Sequence, residues 1–141
     1  MAAFVDTNIL IYALSNANQG EIEKVAIAQR LVNELSEQDD LIISAQVLSE
    51  FVSVSTKKGK PPLSVVEVSR AVAELCQYTV HPIDASLVQL ALQRTEQSHI
   101  SYWDALIVEA AIRSGATILY TEDMHHGTQY GALELRNPFL G

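Results

Sequence analysis

The sequence has only one cysteine, Cys76, so an internal disulfide is excluded. Cys76 lies in an apolar pattern of helical spacing, which predicts that its thiol packs in the core. The longest apolar runs are far shorter than the roughly 20 residues that a membrane span needs. No basic segment precedes the first apolar run, as it would in a secretion signal. We therefore expect a soluble, cytoplasmic protein with no membrane partner.

Basic residues are also scarce: 9 Lys and Arg stand against 17 Asp and Glu, which gives a formal net charge of −8. Taken alone, this balance disfavours nucleic acid binding, because phosphate contacts need Lys and Arg. Two observations weaken the objection. Bound divalent cations would offset a local cluster of acidic side chains. Three of the basic residues, Lys57, Lys58 and Lys60, also lie close together in the sequence.

Internal repeats and low-complexity linkers are absent, and 141 residues are usual for one domain, so we interpret residues 1–141 as a single domain. Short apolar strands are predicted at residues 3–6, 41–44, 79–83, 116–121 and 132–136. Helical spacing and capping residues predict helices at 9–14, 21–38, 45–58, 64–77, 84–97 and 101–114. This alternation predicts an α/β fold whose central, mostly parallel sheet of four to five strands is covered on both faces.

Acidic side chains stand at the ends of two predicted strands. Asp6 closes the first strand, and Glu122 and Asp123 follow the fourth. In open parallel sheets, ligands bind beyond the carboxyl ends of the strands, where the strand order reverses. If the first and fourth strands are neighbours, these carboxylates face one crevice.

Two further acids lie on predicted helices. Asp104 is in the first turn of one helix, and Glu50 borders the apolar face of another, where an unpaired acid is costly unless it binds a metal or a partner. Each acid also has a purely structural interpretation. Asp6 and Asp104 could cap helices, Glu50 could be a half-exposed helix residue, and Asp123 could form a turn. No Lys or Arg close in sequence neutralises them.

The chemistry of these four acids points to a hard metal ion. Oxygen ligands favour Mg²⁺ or Mn²⁺ over softer metals. A metal held in this way activates water and stabilises the leaving oxygen of a phosphodiester. The sequence offers no recognisable Ser, Cys or His triad and no glycine-rich phosphate loop. Asp6, Glu50, Asp104 and Asp123 therefore predict a magnesium-dependent nuclease in which Mn²⁺ can substitute.

Four segments resemble, in order, the successive motifs of PIN-domain ribonucleases. They are residues 5–8 (VDTN), 48–51 (LSEF), 102–107 (YWDALI) and 121–124 (TEDM). Residues 136–139 (RNPF) are similar to the tail of the bacterial VapC-type toxins of that family. The resemblance covers essentially the whole chain.

This resemblance implies a three-layer α/β/α fold and metal-dependent cleavage of RNA, commonly leaving a 5′-phosphate and a 3′-hydroxyl. By motif position, the four acids hold one or two metal ions, Thr121 supports the site, and Asn8 positions the loop after the first strand. The family pattern of Ser or Thr, any residue, then Asp favours Asp123 over Glu122, whose side chain alternates to the other side and tunes the field. The resemblance also implies a type II toxin–antitoxin system, with a cognate antitoxin protein and a homodimer as partners.

Several other residues carry competing interpretations. Lys57, Lys58 and Lys60 are either a solvated helix end or contacts for the RNA backbone, since they follow Glu50 on one helix. Trp103 could stack on a base, although packing is the favoured interpretation. His125 and His126 could form a metal-binding pair, but adjacent side chains rarely bind the same ion. Their roles therefore stay open.

Two alternative functions compete with the ribonuclease. The acidic crevice could belong to a non-catalytic PIN-like module that binds a partner protein, although the presence of all four acids argues against this. The chain could also be a structure-specific DNA nuclease. The absence of a long basic insertion in 141 residues disfavours that alternative.

Overall fold

The computed structural model describes residues 1–15, 21–57 and 63–140. Within these ranges it has six strands and six helices. In chain order they are β1 Ala3–Val5, α1 Thr7–Ala13, α2 Ile22–Glu37, β2 Leu41–Ser44, α3 Ala45–Lys57, α4 Val65–Leu75, β3 Thr79–His81, α5 Ala85–Ser98, α6 Tyr102–Arg113, β4 Ile118–Tyr120, β5 Gln129–Tyr130 and β6 Leu133–Arg136.

The strands form one sheet in the order β3-β2-β1-β4-β6-β5. All pairings are parallel except that between β5 and β6. The chain builds β1, β2 and β3 to one side and then returns to place β4 on the other side of β1. The predicted neighbourhood of the first and fourth strands is therefore confirmed, with Ala3 opposite Ile118 and Val5 opposite Tyr120. This reversal is where a parallel sheet opens a crevice.

Burial along the central strands shows that both faces of the sheet are covered. Successive side chains of a strand point to opposite faces, yet Ala3, Phe4 and Val5 are all buried, as are the residues of β2. The α/β fold with helices on both faces is thus confirmed. The sheet has six strands rather than four to five, because the two-residue β5 pairs with β6, which is the predicted fifth strand.

Most predicted helix boundaries are close to the observed ones, and the caps explain why. Ser64 and Glu67 form a reciprocal capping box at α4, and the Asp84 side chain accepts a hydrogen bond from the Leu87 amide at α5. Gly115 ends α6 with a positive φ of 82°. The predicted break at residues 59–62 lies outside the described residues.

The prediction that Cys76 packs in the core is wrong. Its neighbour Leu75 is the buried residue at the end of α4, and Cys76 is exposed as the C-cap. One residue along a helix turns the side chain by about 100°, which is enough to move it from the core to solvent. Among the helices of the described chain, none is both long and apolar enough to cross a membrane.

Candidate active site

Asp6 directly follows β1 and is hydrogen-bonded to the carboxyl end of the neighbouring strand β4. Its backbone N–H donates to the carbonyl of Tyr120 in β4 at 3.0 Å. Its side chain caps α1 by accepting from the Thr7 amide at 2.7 Å, and its other oxygen accepts from the Thr121 hydroxyl at 2.8 Å. The helix-cap interpretation of Asp6 is therefore correct, but it accounts for only one of the two carboxylate oxygens.

The electrostatic environment of Asp6 disfavours its ionised form. Burial raises the pKa of the Asp6 carboxyl to about 6, although the hydrogen bonds from Thr7 and Thr121 oppose the rise. The negative charges of Glu50 and Asp123 raise this pKa further. These three acids are thus close enough to repel one another, and a bound cation would relieve that repulsion.

Glu50 projects from α3 and is held at both carboxylate oxygens. Oε2 accepts from the Thr7 hydroxyl at 3.0 Å, and Oε1 accepts from the Gln46 amide nitrogen at 2.8 Å. The same nitrogen donates to the carbonyl of Trp103 at 3.1 Å. Gln46 was not singled out from the sequence. The available signal was its i,i+4 relation to Glu50 on one helix face.

Asp123 lies just beyond β4, and Asn8 contacts it from the first turn of α1. The Asn8 side-chain amide donates to the Asp123 carboxylate, and the Asp123 backbone N–H donates to the Thr121 hydroxyl at 3.3 Å. Burial raises the pKa of the Asp123 carboxyl, and the charges of three other acids add to the effect: Glu122, Asp104 and Glu50. Asn8 and Thr121 therefore both contact the acidic cluster.

Asp104 lies in the first turn of α6, which begins at the cap residue Ser101. The Ser101 hydroxyl accepts from the Asp104 backbone N–H at 3.1 Å. The Asp104 carboxylate is half-buried and, within the described ranges, has no hydrogen-bonding partner. Capping therefore uses the backbone of Asp104 and leaves its side chain free.

Glu122 differs sharply from Asp123 in its surroundings. The Lys24 ammonium lies 2.7 Å from one of its oxygens, and the Tyr12 hydroxyl donates to the other at 3.1 Å. Lys24 also lies over the rings of Tyr12 and Phe139, at 5.5 and 5.4 Å from their centroids. Glu122 therefore forms an ion pair with Lys24, whereas Asp123 has no cationic partner among the described residues.

The donor set of the site fits Mg²⁺ or Mn²⁺. Among the ion pairs of the described residues, none involves Asp6, Glu50, Asp104 or Asp123, so their charge is uncompensated by Lys or Arg there. No group of three His, Cys, Asp or Glu side chains in that part of the chain converges closely enough to hold an ion alone. Mg²⁺ does not need such a group, because it commonly takes one or two carboxylates and completes its shell with water and phosphate oxygens.

The remaining candidates lie around this cluster. Lys57 ends α3, seven residues after Glu50 and so on the same helix face, whereas Lys58 and Lys60 lie outside the described residues. The packing interpretation of Trp103 is wrong, since 62% of the residue is exposed. His126 accepts a hydrogen bond at Nδ1 from the Asn137 backbone N–H at 2.9 Å, so it anchors the C-terminal segment.

Comparison with known sequences gives one family match. The sequence model of the PIN domain matches residues 3–127, a range that contains all four acids. No curated protein sequence matches the chain.

Comparison with solved structures gives several toxin–antitoxin proteins. A toxin–antitoxin complex from Klebsiella pneumoniae aligns with a TM-score of 0.72 at 17% identity, over 98% of each chain. Mycobacterium tuberculosis VapC20, a toxin that cleaves the sarcin–ricin loop, aligns with a TM-score of 0.64 at 23% identity, over 86% of this chain and 90% of that chain. Rickettsia felis VapBC2, bound to a DNA fragment from its promoter, gives 0.65 at 22% identity, over 97% and 98%. At these identities, the likeness shows a shared fold.

Proposed function

Because this chain belongs to the PIN domain family, we propose that it is a Mg²⁺-dependent endoribonuclease that acts in the cytoplasm as the toxin of a type II toxin–antitoxin system. The observation that carries the proposal is the cluster of Asp6, Glu50, Asp104 and Asp123 at the strand-order reversal. The acids come from four separate segments and lie close enough for their charges to interact. No Lys or Arg in the described residues pairs with them. Such a cluster is electrostatically unfavourable in the absence of a cation.

The four acids would hold Mg²⁺, or Mn²⁺ in its place, and hydrogen bonds orient three of them: Asp6, Glu50 and Asp123. Thr7 and Thr121 fix the Asp6 carboxylate, and Asn8 fixes Asp123. Asp104 keeps a carboxylate without partners in the described structure, free to contact the metal directly or through its water. Bound magnesium would supply a Lewis acid that activates water and neutralises charge at the scissile phosphate. The carboxylates of Asp6, Glu50 and Asp123 are oriented by these hydrogen bonds before substrate binds.

Two side chains near the acids are suited to contact RNA. Trp103 is exposed immediately before Asp104, and single-stranded RNA is commonly bound by stacking of its bases on aromatic rings. Lys57 lies two helical turns beyond Glu50 on the same face of α3, where it would contact the phosphate backbone. We extend this role to Lys58 and Lys60 from the sequence alone.

The test is cleavage of single-stranded RNA by the purified protein. We expect cleavage with Mg²⁺ or Mn²⁺, none with EDTA, and a loss of about 100-fold or more in Asp104→Asn. Glu96→Gln, which removes an exposed carboxylate on α5, is the matched control and should cleave like the parent. A single-stranded DNA of the same sequence separates ribonuclease from deoxyribonuclease activity. The proposal is wrong if the parent cuts no RNA with either metal, or if Asp104→Asn cuts as well as the parent.

We also propose two protein partners, an antitoxin and a second copy of this chain. The solved toxin–antitoxin complexes that share the fold support the antitoxin, whereas the second copy rests on the resemblance to VapC-type toxins. The product of a small adjacent reading frame should co-purify with this chain and inhibit cleavage. Sedimentation of the isolated protein should give twice the monomer mass of 15.5 kDa. A monomer that no adjacent gene product inhibits would contradict both partners.

A further inference from the structure

Gln46 is a buried amide at the start of α3, and its side-chain hydrogen bonds within the described ranges all involve its nitrogen. The residue is 4% exposed. Its Nε2 donates to Glu50 Oε1 at 2.8 Å and to the Trp103 carbonyl at 3.1 Å. Its Oε1 is buried and, among the described residues, has no partner.

The orientation of this amide is fixed by its neighbours. Both groups that contact the nitrogen are acceptors, one of them a carboxylate, so a reversed amide would place Oε1 against two oxygens. A buried acceptor without a donor costs free energy. An apolar side chain of the same length would fill the space without that cost. The bonds made by Nε2 are therefore the contribution of Gln46 that an apolar residue cannot replace.

Gln46 belongs to a chain of hydrogen bonds that links the segments carrying Asp6, Glu50 and Asp104. Thr7, which follows Asp6, donates to one oxygen of Glu50, and Gln46 donates to the other. The second bond of Gln46 goes to Trp103, which precedes Asp104. A single amide nitrogen thus ties the Glu50 carboxylate of α3 to the first turn of α6.

We propose that Gln46 is a positioning residue that sets the Glu50 carboxylate relative to Asp104 for metal binding. The proposal rests on the function proposed above, because it assumes that these acids hold a divalent cation. Without Gln46, the hydrogen bond from Thr7 is the one that the Glu50 carboxylate keeps in the described part of the chain, and the carboxylate can rotate away from the metal. Groups that orient metal ligands typically change metal affinity by about 10-fold or more when they are removed.

The experiment compares Gln46→Met with the parent in two measurements. The first is the Mn²⁺ dissociation constant, measured by calorimetry without RNA, and the second is the urea unfolding midpoint in EDTA. We expect Mn²⁺ to bind about 10-fold more weakly, while the midpoint stays close to that of the parent, because removal of the unpaired Oε1 offsets the loss of the two Nε2 hydrogen bonds. Gln93→Met, at an exposed position on α5, is the control and should change neither quantity.

Two results would overturn the role of Gln46. One is parent-like Mn²⁺ affinity in Gln46→Met. The other is weaker affinity together with a matching loss of metal-free stability, which would make Gln46 a structural tether only. If Gln46→Met does not fold, Gln46→Asn answers the same question, because its amide is one methylene too short to reach both acceptors. A parent that neither binds Mn²⁺ nor cuts RNA would refute the proposed function itself, whereas an active parent with an unaffected Gln46→Met refutes this inference alone.

Discussion

At the residue scale, Asp6 is the acid of the cluster whose ionisation most clearly destabilises the folded, metal-free protein. Its carboxyl has a pKa of about 6 in the folded chain, against an ordinary value of 3.8. Between these values the folded state binds more protons than the unfolded state, so the metal-free protein loses stability as pH rises from about 4 to 6. Each pKa unit corresponds to about 1.4 kcal/mol, so the loss amounts to about 3 kcal/mol.

We therefore predict that Asp6→Asn stabilises the metal-free protein. At pH 7.5, its free energy of unfolding should exceed that of the parent by up to about 3 kcal/mol, and the difference should vanish near pH 4. Urea unfolding in EDTA at the two pH values measures this, with Glu96→Gln as a control that changes little. A less stable Asp6→Asn at pH 7.5 would show that the charge of Asp6 is compensated in the folded chain.

The second prediction at this scale separates two adjacent acids. Asp123→Asn should reduce RNA cleavage by about 100-fold or more, because an acid of the proposed metal site is neutralised. Glu122→Gln should stay within about threefold of the parent, since its carboxylate is paired with Lys24, and a partly exposed pair contributes about 1 kcal/mol or less to stability. Initial cleavage rates under saturating Mg²⁺ compare the two variants. Equal losses would contradict the distinction.

Sequence reasoning at the residue scale located two acids correctly at the strand ends, while their role in metal binding stays a prediction. Asp6 and Asp123 follow from the rule that parallel strands end at one edge of the sheet. Gln46 could not be identified in this way, because its significance depends on contact between α3 and α6, which helical spacing does not reveal. The predictions that Cys76 and Trp103 are buried are wrong, because the residue type alone does not determine whether a side chain on a helix faces the core or the solvent.

At the element scale, Ser101 connects the start of α6 to the acid that follows it. Removing a Ser cap costs about 1 kcal/mol of stability. Ser101→Ala should lose about this amount, and RNA cleavage should also fall by about tenfold, because the turn that carries Asp104 loses a constraint. The measurements are urea unfolding and initial cleavage rates.

Ser64 provides the matched control, since its hydroxyl caps α4 in the same way and touches none of the four acids. Ser64→Ala should lose similar stability and keep parental cleavage. If both variants keep parental cleavage, the cap of α6 is structural only. If both lose cleavage equally, the effect on Ser101→Ala reflects lost stability.

Helices were easier to predict than strands in this chain. The capping residues Ser64, Asp84 and Ser101 mark helix starts in the sequence itself, and all three accept the expected backbone hydrogen bond. Strand β5 has only two residues, Gln129 and Tyr130, and exists by pairing with β6. A strand of two residues is too short to show the alternation of apolar and polar residues from which strands are predicted.

At the scale of the whole molecule, the acidic charge limits how RNA can be held. Seven Lys and Arg lie in the described residues, and four of them are in ion pairs: Lys24, Arg94, Arg113 and Arg136. For each tenfold rise in salt concentration, the affinity for single-stranded RNA falls by roughly 0.7 logarithmic units per phosphate contact. With few free cations, the salt dependence should be shallow.

We predict a slope of about −2 or shallower when log affinity is plotted against log salt concentration. Fluorescence anisotropy of labelled RNA with the inactive Asp104→Asn variant measures the slope in Mn²⁺, and chelation of the metal should weaken binding further. A slope of about −4 or steeper would indicate a basic surface that a single copy of the chain does not provide.

The contact between Asp6 and Thr121 joins residues 115 positions apart in the chain. During synthesis the chain emerges from its N-terminus, so Asp6 leaves the ribosome long before Thr121 and Asp123 have been translated. The acidic cluster therefore cannot assemble on a nascent chain until β4 is available to pair with β1. The proposed nuclease activity is therefore absent from the nascent chain until the segment that carries β4 and Asp123 has been made.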